Sequence, residues 1–351
     1  MKAIVYEAPL KVSCAHVPPP QLQSPQDVIV RVSLCALCGS DLHVYEGREP
    51  GPDLHTPMGH EFVGEVVEAG RDVKHFRPGD KVVSPFSTSC GSCFYCTAGL
   101  TSRCERSQLF GWVSQGVGVA GCQAEYVRVP VADGTLMRMP DDLSAEAAIL
   151  LADILPTGYF AADQAQLRPG CTCVVVGCGP VGLMAVASAL ELGAAQVFAV
   201  DNVAGRLALA QAFGATPLNF ADVPVAEVVR QATQGRGADC VLELAGNPAA
   251  SRLALDVLRP GGVMSIVGVH NEPHFSFSPN AAYDKNLTLK IGRCPARFYM
   301  GKVVEMVRSG RYNLESVISH RMTLDEGEEA YRLFAGRAPG CTKIVFAPRA
   351  C

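Results

Sequence analysis

Residues 171–190 read CTCVVVGCGPVGLMAVASAL, a β-branched run followed by a glycine-rich turn and an Ala/Leu-rich run. The 20 residues carry no charge, so a membrane span is one interpretation of the stretch. Helix-breaking residues interrupt it in the middle, namely Gly177, Gly179, Pro180 and Gly182. A strand, a turn and a helix therefore explain this stretch better than a single membrane helix does.

The same alternation continues further along the chain. QVFAVD (196–201), ADCVLELAG (238–246) and GVMSIVG (262–268) predict strands, and the helical patterns RLALAQAFG and SRLALDVL lie between them. Strands that alternate with helices predict a parallel sheet with crossover connections. We therefore expect an α/β domain with a doubly wound parallel sheet over residues 155–290.

The first 154 residues have a different pattern. The short β-branched runs VIVRVSL, FVGEVVEAG, DKVVSP and AEYVRVP are separated by Pro and Gly, which predicts an irregular, mostly β domain. The tail, 291–351, carries one helical pattern near 299–308 and a final strand, KIVFAP. We expect this tail to return and complete the first domain.

The composition of the 351 residues sets limits on function. Hydrophobic residues make up 48% and charged residues 18%, which is typical of a globular chain of one or two domains. The net charge is −4 and no basic run is present, so the charge gives no indication of nucleic acid or an anionic membrane as a partner. The N-terminus, MKAIVYEAPL, does not have the pattern of a signal peptide, and we expect a cytoplasmic protein with reduced thiols.

The glycine-rich turn, GCGPVG at 177–182, matches G-x-G-x-x-G between a predicted strand and a predicted helix. Asp201 follows 24 residues after Gly177, at the end of the next predicted strand. Such glycines let the backbone approach a pyrophosphate, and the acidic residue accepts hydrogen bonds from ribose hydroxyls. A carboxylate there would repel a 2′-phosphate, which favours NAD over NADP. The alternative is a strand-to-helix turn that binds no ligand.

A second motif, CGSCFYCTAGLTSRC (90–104), contains four cysteines with the spacing C-x2-C-x2-C-x7-C. Four thiolates bind zinc as a tetrahedron with no open position, so this pattern predicts a structural zinc rather than a reactive one. An iron–sulfur cluster fits the last spacing less well, and disulfides are disfavoured in a reducing compartment. The predicted ligands are Cys90, Cys93, Cys96 and Cys104.

Three further stretches occur together: CALCGSDLHVYEG (35–47), MGHEFVGEVVEAG (58–70) and LADILPTGYFAA (151–162). With them, the chain resembles the zinc-dependent medium-chain dehydrogenase/reductase superfamily, and within it the alcohol dehydrogenase family. The resemblance runs from about residue 1 to residue 346. It implies a GroES-like, mostly β catalytic domain formed by 1–154 and 291–351, and a Rossmann domain over 155–290.

The resemblance also implies a second, catalytic zinc. Cys38, His60 and Asp153 match its ligands, and Glu61 matches a residue behind the metal that can ligate it transiently. Asp153 stands where many members have a cysteine, and it could instead cap a helix or support the ligands. Asp41 would orient His60. One thiolate, one imidazole and one carboxylate leave the fourth position open.

Ser40 and His43 match the family's proton relay. In this interpretation the Ser40 hydroxyl takes the proton of the substrate and passes it through a ribose hydroxyl of the cofactor to His43 near the surface. A near-neutral pKa suits a histidine to that step. The alternative for His43 is an exposed histidine without a role.

The remaining assignments follow from the resemblance alone. They are Thr157 and Val181 at the nicotinamide ring, Arg206 along the adenosine, Lys343 at the pyrophosphate, Asn202 as a further cofactor-binding residue, and Phe86 and Trp112 as walls of the substrate pocket. Each of these residues could instead be an ordinary core or surface residue.

Together these observations predict an NAD-linked alcohol dehydrogenase with two zinc ions per chain. It would transfer hydride reversibly from a zinc-bound alcohol to NAD and give an aldehyde or ketone. We expect small alcohols and aldehydes as ligands and a homo-oligomer, a tetramer or a dimer. A polyol or formaldehyde dehydrogenase of the same family and a non-catalytic NAD-binding protein are the alternatives.

Overall fold

The structure is a computed structural model, and it describes residues 1–49 and 51–348. Contacts divide the chain into two compact units. Unit 1 consists of Met1–Asp153, Pro295–Arg308 and Ile318–Cys351. Unit 2 consists of Ile154–Cys294 and Ser309–Val317. The functional domain limits given above stay predictions.

The strands of the described residues are, in chain order, β1 (Lys2–Ala8), β2 (Lys11–His16), β3 (Val28–Leu37), β4 (Glu61–Ala69), β5 (Lys81–Ser84), β6 (Trp112–Ser114), β7 (Val117–Val119), β8 (Tyr126–Val129), β9 (Met137–Arg138), β10 (Thr172–Val176), β11 (Gln196–Asp201), β12 (Thr216–Asn219), β13 (Ala238–Glu243), β14 (Leu258–Ile266), β15 (Thr288–Ile291), β16 (Ile318–Thr323) and β17 (Lys343–Ala347).

The α-helices are α1 (Asp41–Tyr45), α2 (Phe94–Thr97), α3 (Ala132–Thr135), α4 (Ala145–Ile149), α5 (Ile154–Gln164), α6 (Pro180–Glu191), α7 (Ala204–Phe213), α8 (Val225–Ala232), α9 (Pro248–Val257), α10 (Pro279–Asp284), α11 (Ala296–Arg308) and α12 (Gly327–Ala335). None of these helices combines the length and the apolar character that crossing a bilayer requires.

Unit 1 is built on a seven-stranded sheet in the order β16-β17-β3-β4-β5-β9, with β8 also paired to β3. The long strand β3 runs antiparallel to β4, and this pairing sets Ala36 opposite Glu61. The last strand, β17, pairs with the end of β3, where Ile344 lies opposite Leu37. The tail therefore lies beside the residues that follow Leu37, and these carry the motif CGSDLH.

Unit 2 contains a six-stranded parallel sheet in the order β12-β11-β10-β13-β14-β15. The chain starts at the centre, moves to one edge and then returns to build the other half, which is the doubly wound arrangement. Strand β10 is almost fully buried because helices cover both faces of such a sheet. The predicted fold class, a mostly β domain with a Rossmann-type parallel sheet, is confirmed.

Candidate active site

Four side chains that can bind a metal meet in unit 1, namely Cys38, His60, Glu61 and Asp153. One ligand atom from each lies within 4.8 Å of the others. Cys38 directly follows β3, His60 and Glu61 stand at the start of β4, and Asp153 directly precedes α5. We call these four residues the reactive cluster. Within it, the Cys38 thiol donates to Asp153 Oδ2 at 3.5 Å, and His60 Nε2 lies 3.6 Å from the same oxygen.

Asp41 orients the reactive cluster from behind. Its Oδ1 atom lies 3.1 Å from His60 Nδ1, and its Oδ2 atom accepts a hydrogen bond from the Cys38 backbone amide at 2.9 Å. An ionised carboxylate only accepts, so His60 carries its proton on Nδ1. Nε2 then faces Cys38 and Asp153, and it could bind a metal ion once it has given up its own proton.

Burial and the neighbouring carboxylates shift the pKa values of the reactive cluster. Burial lowers the pKa of His60, but the carboxylates of Asp41 and Asp153 outweigh it and raise that pKa well above its ordinary value. Burial raises the pKa of the Cys38 thiol, and the Asp153 carboxylate adds to that effect. A divalent cation would satisfy all of these groups at once, because it replaces the protons that they otherwise share.

Glu61 forms a buried ion pair in which its Oε1 atom lies 2.6 Å from Lys343 Nζ. Both side chains are almost fully buried, at 0% and 1% exposure. Burial raises the pKa of Glu61, and the Lys343 ammonium opposes that rise. The other oxygen, Oε2, is buried and accepts no hydrogen bond from any described residue. An unsatisfied carboxylate oxygen beside Cys38, His60 and Asp153 fits a metal ion, and a sulfur, nitrogen and oxygen donor set suits zinc.

Lys343 was predicted to contact a pyrophosphate. In the structure its side chain is buried against Glu61, because a buried ammonium needs a counter-charge. A contact between Lys343 and a pyrophosphate stays a prediction.

The two residues of the predicted proton relay lie next to the reactive cluster in the chain. Ser40 is exposed, and its Oγ atom lies 3.2 Å from His60 Nε2. His43 lies in α1 with 13% of its side chain exposed, and its Nδ1 atom is 3.7 Å from Glu49 Oε1. Burial lowers the pKa of His43, and the nearby Arg48 lowers it further. The Glu49 carboxylate opposes this fall in pKa without reversing it.

The two predicted pocket residues have different surroundings. Phe86 is buried, and its ring meets the His60 ring edge-on with 6.4 Å between the centroids. Trp112, at the start of β6, is partly buried and packs against the hydrophobic core of unit 1. The structure thus brings Phe86 to the reactive cluster, while for Trp112 it gives a contact with the core.

The second metal-binding group consists of Cys90, Cys93, Cys96 and Cys104, whose sulfur atoms lie within 4.8 Å of one another. We call it the four-cysteine cluster. Backbone amides point at the sulfurs: Cys93 donates to Cys90 Sγ at 3.3 Å, and Cys90 donates to Cys104 Sγ at 3.2 Å. Such amides stabilise thiolates, and four thiolates fit a tetrahedral zinc.

The thiols of the four-cysteine cluster differ in how easily they ionise. Burial raises the pKa of Cys90, but the backbone amides of Ser92 and Cys93 outweigh it and lower the pKa to about 6. Burial raises the pKa of Cys96 to about 12. A bound cation would deprotonate both kinds of thiol.

In unit 2, the glycine-rich turn connects β10 to α6. Gly177 has φ +92°, which L side chains rarely adopt, and a Cβ atom there would meet Ala245. A Cβ atom on Gly182 would meet the carbonyl oxygen of Gly177. Gly179 caps α6 and has open space where a side chain would be, so its backbone can be approached closely. This geometry suits an anion at the N-terminus of α6, which begins at Pro180.

Asp201 is the last residue of β11, and its carboxylate contacts the backbone of the glycine-rich turn. Its Oδ2 atom accepts from the Cys178 amide at 2.8 Å, and its Oδ1 atom accepts from the Asn202 and Val203 amides at 2.8 and 2.9 Å. Arg206 Nη1 lies 3.8 Å from Asp201 Oδ2, and Arg206 Nε is buried without a hydrogen-bond partner among the described residues. The turn, Asp201, Asn202 and Arg206 therefore form one local group.

Thr157 and Val181 lie on two packed helices of unit 2. Thr157 is buried in α5, and Val181 is partly buried in the first turn of α6. The helices approach closely at Gly158, where a Cβ atom would meet the backbone of Ala185 at 2.6 Å and that of Met184 at 2.7 Å. Contacts of either residue with a nicotinamide ring stay predictions.

The structure also shows two residues behind the reactive cluster that the sequence analysis did not single out. Gln123 donates a hydrogen bond to Asp41, and Tyr331 donates one to Gln123. No local pattern in the sequence marks either residue, because the full burial of the polar Gln123 side chain becomes visible only in the fold.

Comparison with known proteins agrees with the fold of both units. Residues 24–141 match the family model of the alcohol dehydrogenase GroES-like domain, and residues 180–307 match that of the zinc-binding dehydrogenases. The chain belongs to the zinc-dependent medium-chain dehydrogenase/reductase superfamily, and within it to the zinc-type alcohol dehydrogenases, which are oxidoreductases.

Individual relatives cover nearly the whole chain. Zinc-type alcohol dehydrogenase B of Aspergillus flavus is 44% identical over 99% of this chain and 81% of its own length. The NADP-dependent isopropanol dehydrogenase of Thermoanaerobacter brockii is 33% identical over 92% of both chains. The structure of alcohol dehydrogenase TADH from Thermus sp. ATN1 matches with a TM-score of 0.93 and 40% identity, and covers 99% of this chain and 100% of that one.

Proposed function

We propose that this protein is a zinc-dependent, NAD-linked alcohol dehydrogenase that interconverts an alcohol and an aldehyde or ketone. The observation that supports this most strongly is the reactive cluster, in which one thiol, one imidazole and two carboxyl groups meet in unit 1. A parallel sheet with a glycine-rich turn would also suit a protein without activity, because function depends on the site rather than on the fold.

Cys38, His60 and Asp153 would hold the catalytic zinc, with the unpaired Glu61 Oε2 atom available as a further donor. When bound, the zinc supplies a Lewis acid that polarises the substrate oxygen, and NAD supplies the hydride acceptor. The residues around the ligands keep this set in one arrangement. Asp41 fixes the His60 ring, and Lys343 neutralises Glu61.

The proton of the alcohol leaves through Ser40 and His43. Ser40 is exposed at the edge of the reactive cluster, where its hydroxyl can accept the proton and pass it on. His43 follows three residues later, and burial and Arg48 keep its pKa below the ordinary value. His43 is therefore ready to accept a proton at neutral pH and to release it to solvent.

We assign the cofactor to the glycine-rich turn and Asp201. The pyrophosphate would lie at the N-terminus of α6, and the Asp201 carboxylate would accept hydrogen bonds from the adenosine ribose. Asn202 and Arg206 would lie along the adenosine, with Thr157 and Val181 at the nicotinamide. One relative named above uses NADP, but the Asp201 carboxylate would repel a 2′-phosphate, so we propose NAD.

The four-cysteine cluster would hold a second zinc that stabilises its loop and takes no part in the reaction, since four sulfurs leave no open position. Phe86, and with it Trp112, would line the pocket for a small alcohol. We further propose a cytoplasmic homo-oligomer, a dimer or tetramer, without nucleic-acid or membrane partners, consistent with the net charge of −4.

The test is to incubate the purified protein with NAD or NADP and a panel of short alcohols, diols, polyols and formaldehyde. The absorbance of the reduced cofactor gives turnover, and elemental analysis gives zinc per chain. Two zinc ions with NAD-dependent alcohol oxidation support the proposal. One zinc ion without turnover on any substrate contradicts it and indicates a non-catalytic NAD-binding protein. Turnover restricted to polyols or to formaldehyde would replace the general assignment with one of those two activities.

A further inference from the structure

A buried chain of hydrogen bonds runs from helix α12 to the reactive cluster. The Tyr331 hydroxyl donates to Gln123 Oε1 at 2.9 Å. The Gln123 amide nitrogen donates to Asp41 Oδ2 and to the Ala36 carbonyl, both at 3.3 Å. Tyr331 and Gln123 are 0% exposed, and Asp41 is 5% exposed.

The direction of every bond in this chain is determined by its chemistry. The Asp41 carboxylate and the Ala36 carbonyl can only accept, so the Gln123 NH₂ group must face them. The Gln123 oxygen is then left for Tyr331, whose hydroxyl must donate. Burial raises the pKa of Tyr331 well above its ordinary value, so the hydroxyl keeps its proton. Each polar group of the two side chains therefore has a partner, and the amide has one stable orientation.

Asp41 transmits this orientation to two residues of the reactive cluster. The oxygen that accepts from Gln123 also accepts from the Cys38 amide at 2.9 Å, and the other oxygen lies 3.1 Å from His60 Nδ1. A rotation of the Asp41 carboxylate would therefore change both bonds together. The Gln123 amide opposes such a rotation.

A second, independent observation places Gln123 against the same residues. Gly59, which directly precedes His60, has φ +88°, and a Cβ atom there would lie 2.8 Å from Gln123 Cδ and 2.9 Å from Gln123 Nε2. The Gln123 backbone amide also donates to the Met58 carbonyl at 2.8 Å. The Gln123 side chain thus packs directly on the backbone that carries His60.

We propose that Gln123 and Tyr331 are positioning residues for the metal ligands Cys38 and His60, and that they act through Asp41. The inference rests on the proposed function, because it requires a metal ion at the reactive cluster. The competing explanation is that these hydrogen bonds only satisfy buried polar groups in the core of unit 1, so that their loss affects the stability of the protein alone. The two explanations differ in what happens to the metal.

The experiment uses the full-length protein and the variants Gln123→Met and Tyr331→Phe. Methionine keeps the approximate length of glutamine without its hydrogen bonds, and phenylalanine keeps the ring of tyrosine. Cobalt(II) replaces zinc at the reactive cluster, and its visible spectrum reports the geometry of the thiolate and imidazole ligands. Release of the native zinc to a chelator is followed separately, and thermal unfolding by circular dichroism measures the stability of each variant.

We expect Gln123→Met to release the catalytic zinc about 10-fold faster and to shift the cobalt bands, as the loss of a partner behind a metal ligand does. Tyr331→Phe should have a smaller effect of the same kind. It should add little to Gln123→Met, because both substitutions interrupt one chain. Tyr331→Phe also keeps the proposal testable if Gln123→Met does not fold.

Tyr312→Phe is the matched control. Tyr312 is buried in unit 2, and its hydroxyl donates to Glu191 Oε2 at 3.1 Å. Loss of this hydroxyl should lower the temperature of thermal unfolding without changing the cobalt spectrum or the rate of zinc release.

Two failures are distinguishable. If the parent protein binds zinc at the reactive cluster, but both variants release it at the parent rate with an unchanged cobalt spectrum, the positioning role is wrong and the proposed function stands. If the parent protein loses no zinc on Cys38→Ser substitution, no metal is held there. In that case the proposed function itself fails.

Discussion

The two metal-binding groups of unit 1 are built in opposite ways. The four-cysteine cluster comes from 15 consecutive residues, and its sulfurs accept hydrogen bonds from the amides of the same loop. The reactive cluster comes from three distant parts of the chain, which β3, β4 and the start of α5 bring together. One group offers four sulfurs, whereas the other offers three kinds of donor atom, including a carboxylate oxygen that accepts no hydrogen bond from a described residue.

This difference separates a structural site from a reactive one. A local loop with four thiolates can close around an ion without help from the rest of the protein, and it leaves nothing for a substrate. The reactive cluster exists only when the sheet of unit 1 has formed, and its ligands depend on residues behind them such as Asp41 and Lys343. Substitutions in the two groups should therefore affect different measurements.

The largest effect is expected for Cys38→Ser. Loss of the thiolate removes the catalytic metal, and Lewis-acid stabilisation of several kcal/mol corresponds to a fall in kcat/KM of about 10³-fold or more. NAD binding and the zinc of the four-cysteine cluster should remain. The measurements are steady-state kinetics, NAD titration and zinc content.

Cys35→Ser is the control for this substitution. Cys35 is a buried thiol three residues earlier in β3, and it donates to the Phe346 carbonyl instead of facing the reactive cluster. Cys35→Ser should keep both zinc ions and its turnover. Normal turnover in Cys38→Ser would remove this thiolate from the metal site.

The next effect is expected for Cys104→Ser, which changes the four-cysteine cluster. Cys104 is buried and accepts hydrogen bonds from the Cys90 and Arg106 amides. Loss of the zinc should lower the Tm by about 10 °C, because metal binding at a closed site contributes directly to folding. Below the transition, kcat/KM should change little.

Differential scanning calorimetry and kinetics at low temperature check this expectation. Cys14→Ser changes a partly exposed thiol outside both clusters and should leave the Tm unaltered. If Cys104→Ser abolished turnover in a protein with an unchanged Tm, the assignment of the two sites would have to be reversed.

A smaller effect is expected from a residue outside both metal-binding groups. Asp201→Ala removes the acceptor for the Cys178, Asn202 and Val203 amides and for the ribose, so the KM for NAD should rise about 10-fold. The KM for NADP should rise less, because the repulsion of its 2′-phosphate is relieved at the same time.

Kinetics with both cofactors and zinc content provide the check. Asp201→Asn, which keeps an acceptor but loses the charge, separates the repulsion from the loss of hydrogen bonds. Both zinc ions should remain in either variant. Equal increases in the two KM values for Asp201→Ala would contradict a role in cofactor discrimination.

The smallest effect is expected from Arg48→Gln near His43. Burial and the Arg48 charge hold the pKa of His43 below its ordinary value, so the imidazole stays unprotonated, and able to accept the substrate proton, to a lower pH than an ordinary histidine. Removing Arg48 should raise that pKa and move the acidic limb of the pH profile of kcat/KM to higher pH. Arg48 is about half exposed, with 47% of its side chain accessible, so screening should limit the shift to about half a unit.

The pH dependence of alcohol oxidation measures this shift, with Arg71→Gln as a control at an exposed arginine. A limb that stays in place in Arg48→Gln, or that moves equally in Arg71→Gln, would speak against His43 as the proton acceptor.

The two groups also differ in how far the sequence predicts them. The spacing of Cys90, Cys93, Cys96 and Cys104 is local, so it indicates a metal site without knowledge of the fold. Cys38, His60 and Asp153 have no such spacing, and only the resemblance to a family predicts that they form one metal site. In the structure, the antiparallel pairing of β3 with β4, which sets Ala36 opposite Glu61, brings two of the segments together.

Other features had no signal that could be recognised locally. Gln123 and Tyr331 are 208 residues apart, and their contact depends on the position of α12 in unit 1. Lys343 at the start of a strand looks like a surface residue, and only the pairing of β17 with β3 shows that it is buried. In unit 2, the fold class was predictable because strands and helices alternate regularly and the glycine-rich turn stands at their junction.

The most direct test of the account is anomalous diffraction at the zinc absorption edge, from crystals of protein purified without chelators. We expect two peaks per chain. One should lie among the four sulfurs of the four-cysteine cluster, and the other should lie within bonding distance of Cys38 Sγ, His60 Nε2 and the Asp153 carboxylate. A chain that carries the first peak and shows no density between Cys38 and His60 would contradict it.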